Sequence, residues 1–129
     1  MEDLSPFFKS IIEQDTAPVV ICDLEHTVIY MNPVAKEVFS EDGGELLIGR
    51  CLFDCHKHAS VEKITKVVEW FSEDPDNNIV HTMHSEKRDV YMVALRDDDG
   101  RLIGYYEKHS YRTPDDSPTY WMKDSANPL

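Results

Sequence analysis

The sequence predicts one α+β domain in which antiparallel strands pack against helices, and three observations carry that expectation. Near the front, two β-rich runs, Val19–Asp23 and Thr27–Asn32, are separated only by Leu24-Glu25-His26, which is hairpin spacing. In the middle, Val61, Ile64, Val67, Val68 and Phe71 recur at helical spacing. Behind them lie three strand-like runs, at 79–85, 90–95 and 101–107, the third of which can extend to Tyr111. The last two flank Asp97-Asp98-Asp99-Gly100, residues that tolerate the positive φ of a tight turn. A chain of 129 residues fits a single domain whose core needs no disulfide.

Composition narrows the functional classes. A 41% hydrophobic share is that of a globular protein and rules out wholesale disorder. Thirteen Lys and Arg stand against 25 Asp and Glu, a net charge of −12. Nucleic acid and anionic membrane both reward clustered positive charge, so neither is expected as a main partner. No apolar run has the length of a membrane span. The start, Met-Glu-Asp-Leu-Ser-Pro, lacks a basic segment followed by an apolar one, so no secretory signal is expected. Three cysteines, an odd number, suit a reducing compartment, and the expected location is cytoplasmic.

Taken in order, the chain first shows a helix from about Leu4 to Gln14, with Ser5 as cap and Pro6 at the first helical position. Leu4, Phe7, Phe8, Ile11 and Ile12 form one apolar stripe along it. That stripe packs on its own domain or forms a partner surface, most simply a homodimer interface; both readings stand. After the first two strands, Asn32 caps a short helix with Pro33 at its first position. Ser40 to Glu45 is a polar loop containing glycines. Ser60 is the expected cap of the long helix, which Pro75 terminates. Val90 to Leu95 is apolar at nearly every position, so the expectation is cover on both faces of that strand, the second supplied by the N-terminal helix or another subunit. Prolines, aspartates and serines mark a tail over 113–129, with Tyr120-Trp121-Met122 its one apolar spot, leaving a domain over 4–112.

Several stretches resemble a PAS domain. Ala17 to Ala35, with its strand, turn, strand and Asn-Pro-Val-Ala helix start, is similar to the opening of that family. Leu47-Ile48-Gly49-Arg50 is similar to the step before its middle helices, and Asp97 to Gly104 to its last hairpin. Asp54-Cys55-His56-Lys57-His58-Ala59-Ser60 resembles the Cys-His-Pro-x-x-Ser step of a bacterial subgroup, with Lys57 in place of proline. The resemblance covers about residues 4–111. It implies a five-stranded antiparallel sheet with helices on one face, enclosing a pocket. It also implies a bacterial sensory or ligand-binding module, commonly a homodimer, that passes its signal to a protein partner.

Candidate site residues follow from side-chain chemistry. Cys55, His56, His58, Tyr30, His81 and Met92 are candidates to line a small-molecule or cofactor pocket. His56 is the candidate axial ligand if the pocket holds haem. Cys51, Cys55 and His56 are zinc-capable donors, yet their spacing matches no standard structural zinc pattern. A ligand-free reading also stands, in which Cys55 packs as a small apolar group and the domain is a dimerisation adaptor. His81 and His84, three apart in a regular strand, are expected on opposite faces, with His81 sharing a face with Met83. His109 is expected at the surface. The sequence carries no phosphate loop, no Gly-x-Ser-x-Gly elbow and no His-Glu-x-x-His, so a non-enzymatic protein is expected.

Overall fold

The hairpins suggested by the turn residues form, and they join into one sheet. In the computed structural model, which describes residues 3–55 and 58–120, β1 (Val20–Asp23) pairs antiparallel with β2 (Val28–Met31). β3 (Ile79–His84), β4 (Arg88–Arg96) and β5 (Leu102–Tyr111) pair antiparallel in turn. β5 then lies beside β1, giving the strand order β2-β1-β5-β4-β3. Helices α1 (Ser5–Glu13), α2 (Pro33–Val38) and α3 (His58–Glu73) punctuate the chain, with 3₁₀ turns at Ser40–Asp42, Gly44–Leu47 and Leu52–Cys55.

The core sits on the inner sheet face, beneath α2, the 3₁₀ turns and α3. Cys22, Val28, Met31, Met92 and Tyr105 supply the sheet side, and Ala35, Ile64 and Phe71 the helical side. Turn chemistry sets the hairpins. The Asp23 carboxylate accepts from the backbone N–H groups of Glu25 and Thr27, which holds His26 at φ 65° between the first two strands. Asp97 accepts likewise from Asp99 and Arg101, and Gly100 takes φ 82°. Gly104 lets β5 approach β1, since a Cβ there would stand 2.3 Å from the Cys22 carbonyl oxygen.

Asn32 is the polar node of the fold. Its side chain is fully buried, with both donors and both acceptor positions used. Oδ1 accepts from Ala35 N–H, capping α2, and from Val19 N–H, each at 2.9 Å. Nδ2 donates to the carbonyls of Ile12 at 3.1 Å and Ala17 at 3.0 Å. One amide thus ties the end of α1, the entry of β1 and the start of α2. Arg96 does similar work at the other end. Its guanidinium donates to the carbonyl of Phe71, near the C-terminus of α3, and to Asn78 Oδ1, both at 2.7 Å.

Several expectations shift on inspection. Leu4, not Ser5, occupies the N-cap of α1 and makes no side-chain cap bond; the Asp3 carboxylate accepts from Ser5 N–H instead. α3 starts at His58, so Ser60 lies inside its first turn. In β4, Val90, Met92 and Ala94 are buried, whereas Tyr91, Val93 and Leu95 on the outer face are only half-buried. α1 does not cover that outer face fully, for none of its own residues is buried. Among the described residues, no helix is long and apolar enough to cross a membrane. Residues 113–120 form no helix or strand and are exposed; Trp121 and Met122 lie outside the described residues.

Candidate functional site

Two β-bulges decide which side chains face the helices. Between β1 and β2 the register slips after Ile21, so that Val20 opposes Met31 and Cys22 opposes Val28, leaving Ile29 as the extra residue. Both Val28 and Met31 therefore point inward and are buried. Between β3 and β4 the register slips between His81 and Met83, with Thr82 as the extra residue. Met83 consequently opposes the inward Val90.

Two cavities on the inner face adjoin the core among the described residues. The first, about 170 Å³, lies on Val20, Cys22, Val28 and Met31 and under Phe39, Leu47 and Leu52. Arg50, Asp42, Cys51 and Glu107 complete it. Its lining is mainly apolar. Burial pushes the Cys22 thiol up to about 12, so it stays protonated and behaves as a small apolar group. The second cavity, about 230 Å³, lies between α3 and the β3–β5 part of the sheet, where Ser60, Lys63, Thr82, Arg88 and His109 add polar groups to Ile64, Val90 and Met92. Phe39 and Glu107 line both cavities.

Cross-strand pairing explains this polar row. Val90 opposes His109 and Met92 opposes Glu107, so both polar residues of β5 share the inward face of the buried β4 residues. The His109 side chain is only 7% exposed, and its Nε2 stands 3.8 Å from a Glu107 carboxylate oxygen. Burial, together with the positive charge of Arg88, lowers the proton affinity of His109 and favours the neutral ring. Its Nδ1 is buried and has no hydrogen-bond partner among the described residues. Beside the first cavity, His26 Nδ1 lies 2.8 Å from the Tyr105 hydroxyl, and the His26 ring stacks on Phe53 with centroids 4.2 Å apart. Burial raises the Tyr105 phenol and lowers the proton affinity of His26, so the contact joins two neutral groups. This stack fixes the 3₁₀ turn at Leu52–Cys55 against the sheet.

The residues singled out from sequence scatter over this frame. Met92 lines the second cavity and Cys51 the first. Tyr30 pairs with Ile21 on the opposite face of the sheet, where burial and the nearby Glu13 carboxylate raise its phenol. His58 is exposed at the start of α3. His81 is exposed on the outer face, stacked on Tyr91 at 4.2 Å. His56 and the side chain of Cys55 lie outside the described residues. The bulge corrects the expectation for His81 and His84: both face outward, with ring centroids 6.4 Å apart, and His84 pairs with Asp89. His109 is corrected from surface to buried, and with Glu107 it is the part of the site that sequence reasoning missed. The available signal was alternation in β5, which places Glu107 and His109 in phase with the core residue Tyr105.

The described residues do not fit haem. Haem needs an apolar slot for a macrocycle and an axial ligand directed into it. The first cavity, at about 170 Å³, is close to the ~150 Å³ that accommodates benzene, and among the described residues no histidine lines it. Among the described residues, no group of three or more His, Cys, Asp or Glu is placed to hold a metal.

A five-stranded antiparallel sheet in this order, with helices over one face and cavities beneath them, defines a small α+β domain. The sequence matches the model of a PAS fold family over residues 12–108, well over half of the chain. The chain belongs to the PAS fold family. No curated protein matches it. Among solved structures, it is similar to the PAS domain of a protein from Colwellia psychrerythraea (15% identity, TM-score 0.63, covering 84% of this chain and 97% of that one). It is similar to a C-terminal domain from Streptococcus mutans (22% identity, TM-score 0.61, 81% of each chain). It also resembles the Aer2 receptor from Vibrio cholerae, described as a dual PAS-haem oxygen sensor (17% identity, TM-score 0.51, 76% of this chain and 96% of that one). At these identities the likeness is one of fold.

Proposed function

We infer that this chain is a sensory module that binds a small molecule on the inner face of its sheet and signals as a homodimer through α1. The observation that carries the reading is the first cavity, about 170 Å³ of mainly apolar space beside the buried core of a PAS fold. Space of that size is costly to leave unfilled in a protein interior, and ligand sites are concave, apolar and fitted with a few polar groups. Among the described residues, the buried Cys22 thiol is held protonated and is not an activated nucleophile.

The dimer rests on α1. Leu4, Phe7, Phe8 and Ile11 are 48%, 60%, 58% and 68% exposed. A helix of nine residues is marginal alone in water, so this stripe calls for a partner. A second copy presents the same stripe, as a two-fold interface requires. The signal then runs from the cavity through Asn32, which touches both the core and the end of α1, to the dimer and on to a protein partner.

The test is protein-observed NMR with a library of one-ring compounds. Amide shifts clustered at Cys22, Val28, Met31 and Leu52 support the reading. A library that leaves those amides unmoved would identify a ligand-free adaptor instead. For the dimer, Phe8→Glu should convert the sedimenting species to monomer; an unchanged sedimentation coefficient rules out α1 as the interface.

A further inference from the structure

The lining of the first cavity divides into an uncharged interior and a charged mouth, and the inference drawn from that division rests on the reading that this cavity holds a small molecule. Cys22, Val28, Met31 and Leu52 belong to the interior, where the thiol is held protonated. The space matches one six-membered ring in size. Nothing in that interior compensates a buried charge, so the charged groups of a ligand stay at the mouth.

The mouth holds an anion and a cation that solvent still reaches. Asp42 and Arg50 line the cavity, and both are exposed. Among the described residues no ion pair joins them, and neither side chain makes a hydrogen bond. Their backbones are fixed to the cavity wall. Asp42 N–H donates to the Phe39 carbonyl at 3.0 Å, at the end of the 3₁₀ turn Ser40–Asp42. Arg50 N–H donates to the Leu47 carbonyl at 3.0 Å, and the Arg50 carbonyl accepts from Val28 N–H at 2.9 Å. Phe39, Leu47 and Val28 all line the cavity, so each charged residue is hydrogen-bonded to the wall it stands on. Glu107, the third charged residue of the lining, has an interaction of its own. Its charge adds to that of Asp42 and tips the mouth toward negative potential.

A ring bearing a lone anion meets Arg50 together with two carboxylates. A lone cation pairs with Asp42 and leaves Arg50 as a like charge at the same mouth. A head that bears both charges sets each against its opposite. An α-amino acid carries an ammonium and a carboxylate on one carbon, next to the side chain that enters the interior.

We propose that the ligand is a zwitterionic α-amino acid with an apolar side chain no larger than one ring, its carboxylate on Arg50 and its ammonium on Asp42. This goes beyond the family fold, which sets the cavity but not the charges at its mouth.

Four probes share one ring and differ in charge: L-phenylalanine, 2-phenylethylamine without the carboxylate, 3-phenylpropionate without the ammonium, and toluene without either. Each is titrated into the full chain by NMR. Phenylalanine should bind about three- to fivefold tighter than phenylethylamine, the upper range for one exposed ion pair. Its lead over phenylpropionate should be larger, because that probe also faces the acidic side of the mouth. Arg50→Gln should bring phenylalanine close to phenylethylamine, and Asp42→Asn should bring it close to phenylpropionate. Both residues are exposed, so the fold should tolerate both changes. If phenylethylamine, phenylpropionate or toluene binds wild type at least as tightly as phenylalanine, the amino-acid assignment is overturned while the cavity reading stands. An unchanged ranking in either variant also overturns the assignment. If none of the four shifts an inner-face amide, both readings fall.

Discussion

The two faces of the sheet are built to different rules. On the inner face, alternate residues of β4 are buried, a fully buried asparagine uses every hydrogen-bonding position, and cavities interrupt the packing beside Glu107 and His109. On the outer face, Tyr91, Val93 and Leu95 are half-buried, and His81 and Ile103 are exposed. α1 and its N-cap Leu4 add four exposed apolar side chains to that second kind of surface. Large unfilled space inside and unburied apolar area outside differ in what completes them. The first suits a small molecule and the second suits another protein surface.

Substitutions can test how deep this contrast runs, and the largest effect belongs to Asn32. Asn32→Ala removes the α2 cap and strands the Val19 and Ala35 N–H groups and the Ala17 carbonyl, while the Ile12 carbonyl keeps only its bond from Asp15 N–H. A destabilisation of roughly 3–5 kcal/mol is expected from chemical denaturation, given about 1 kcal/mol for a cap and 1–3 for a stranded buried group. A loss under 1 kcal/mol would mean that water replaces the amide and that the inner face is less closed than described.

Next comes Met92→Ala. Met92 is 1% exposed, so enlarging the space beside it should cost about 2–4 kcal/mol in the same assay. Phe8→Glu on α1 should change the unfolding free energy of the monomer by no more than about 0.5 kcal/mol. If the order of these two were reversed, the helix would be part of the core and the contrast between faces would fail.

A pH series sharpens the comparison with a smaller effect. His109 and His26 both have lowered proton affinity in the fold, chiefly from burial. The unfolded chain therefore binds more protons than the native one below about pH 6.5, the ordinary histidine value. Stability is then full above that pH and declines as the pH falls through it toward the lowered native values. The melting temperature should drop between pH 7 and pH 5.5, and His109→Phe should drop less. An equal slope in the variant would assign the pH dependence to His26 and not to His109.

How much of this was legible in the sequence depends on the kind of signal. Local chemistry was readable: the Asp-rich hairpin at 97–100, the Asn32-Pro33 helix start and the periodicity of α3 all express short-range preferences. The β-bulges were not readable. Strict alternation puts His81 and His84 on opposite faces, whereas one extra residue at Thr82 turns both outward. The cavity was also hidden, because Val20, Phe39, Leu47 and Glu107 meet only through the return of β5 beside β1. The dense Cys and His of 51–58 drew attention to one segment, although the buried histidine beside a carboxylate lies on the last strand. Arg96 likewise looks like an ordinary strand-end cation until α3 delivers the Phe71 carbonyl to it.

The central claim, that the inner face receives a small molecule, is tested most directly by methyl NMR of methionine-labelled protein titrated with benzamide. Met31 lines the first cavity and Met92 the second. The account predicts saturable shifts of the Met31 methyl, with a smaller shift at Met92. Methyl resonances of Met31 and Met92 that stay fixed through millimolar benzamide and the rest of a library of one-ring compounds would contradict it.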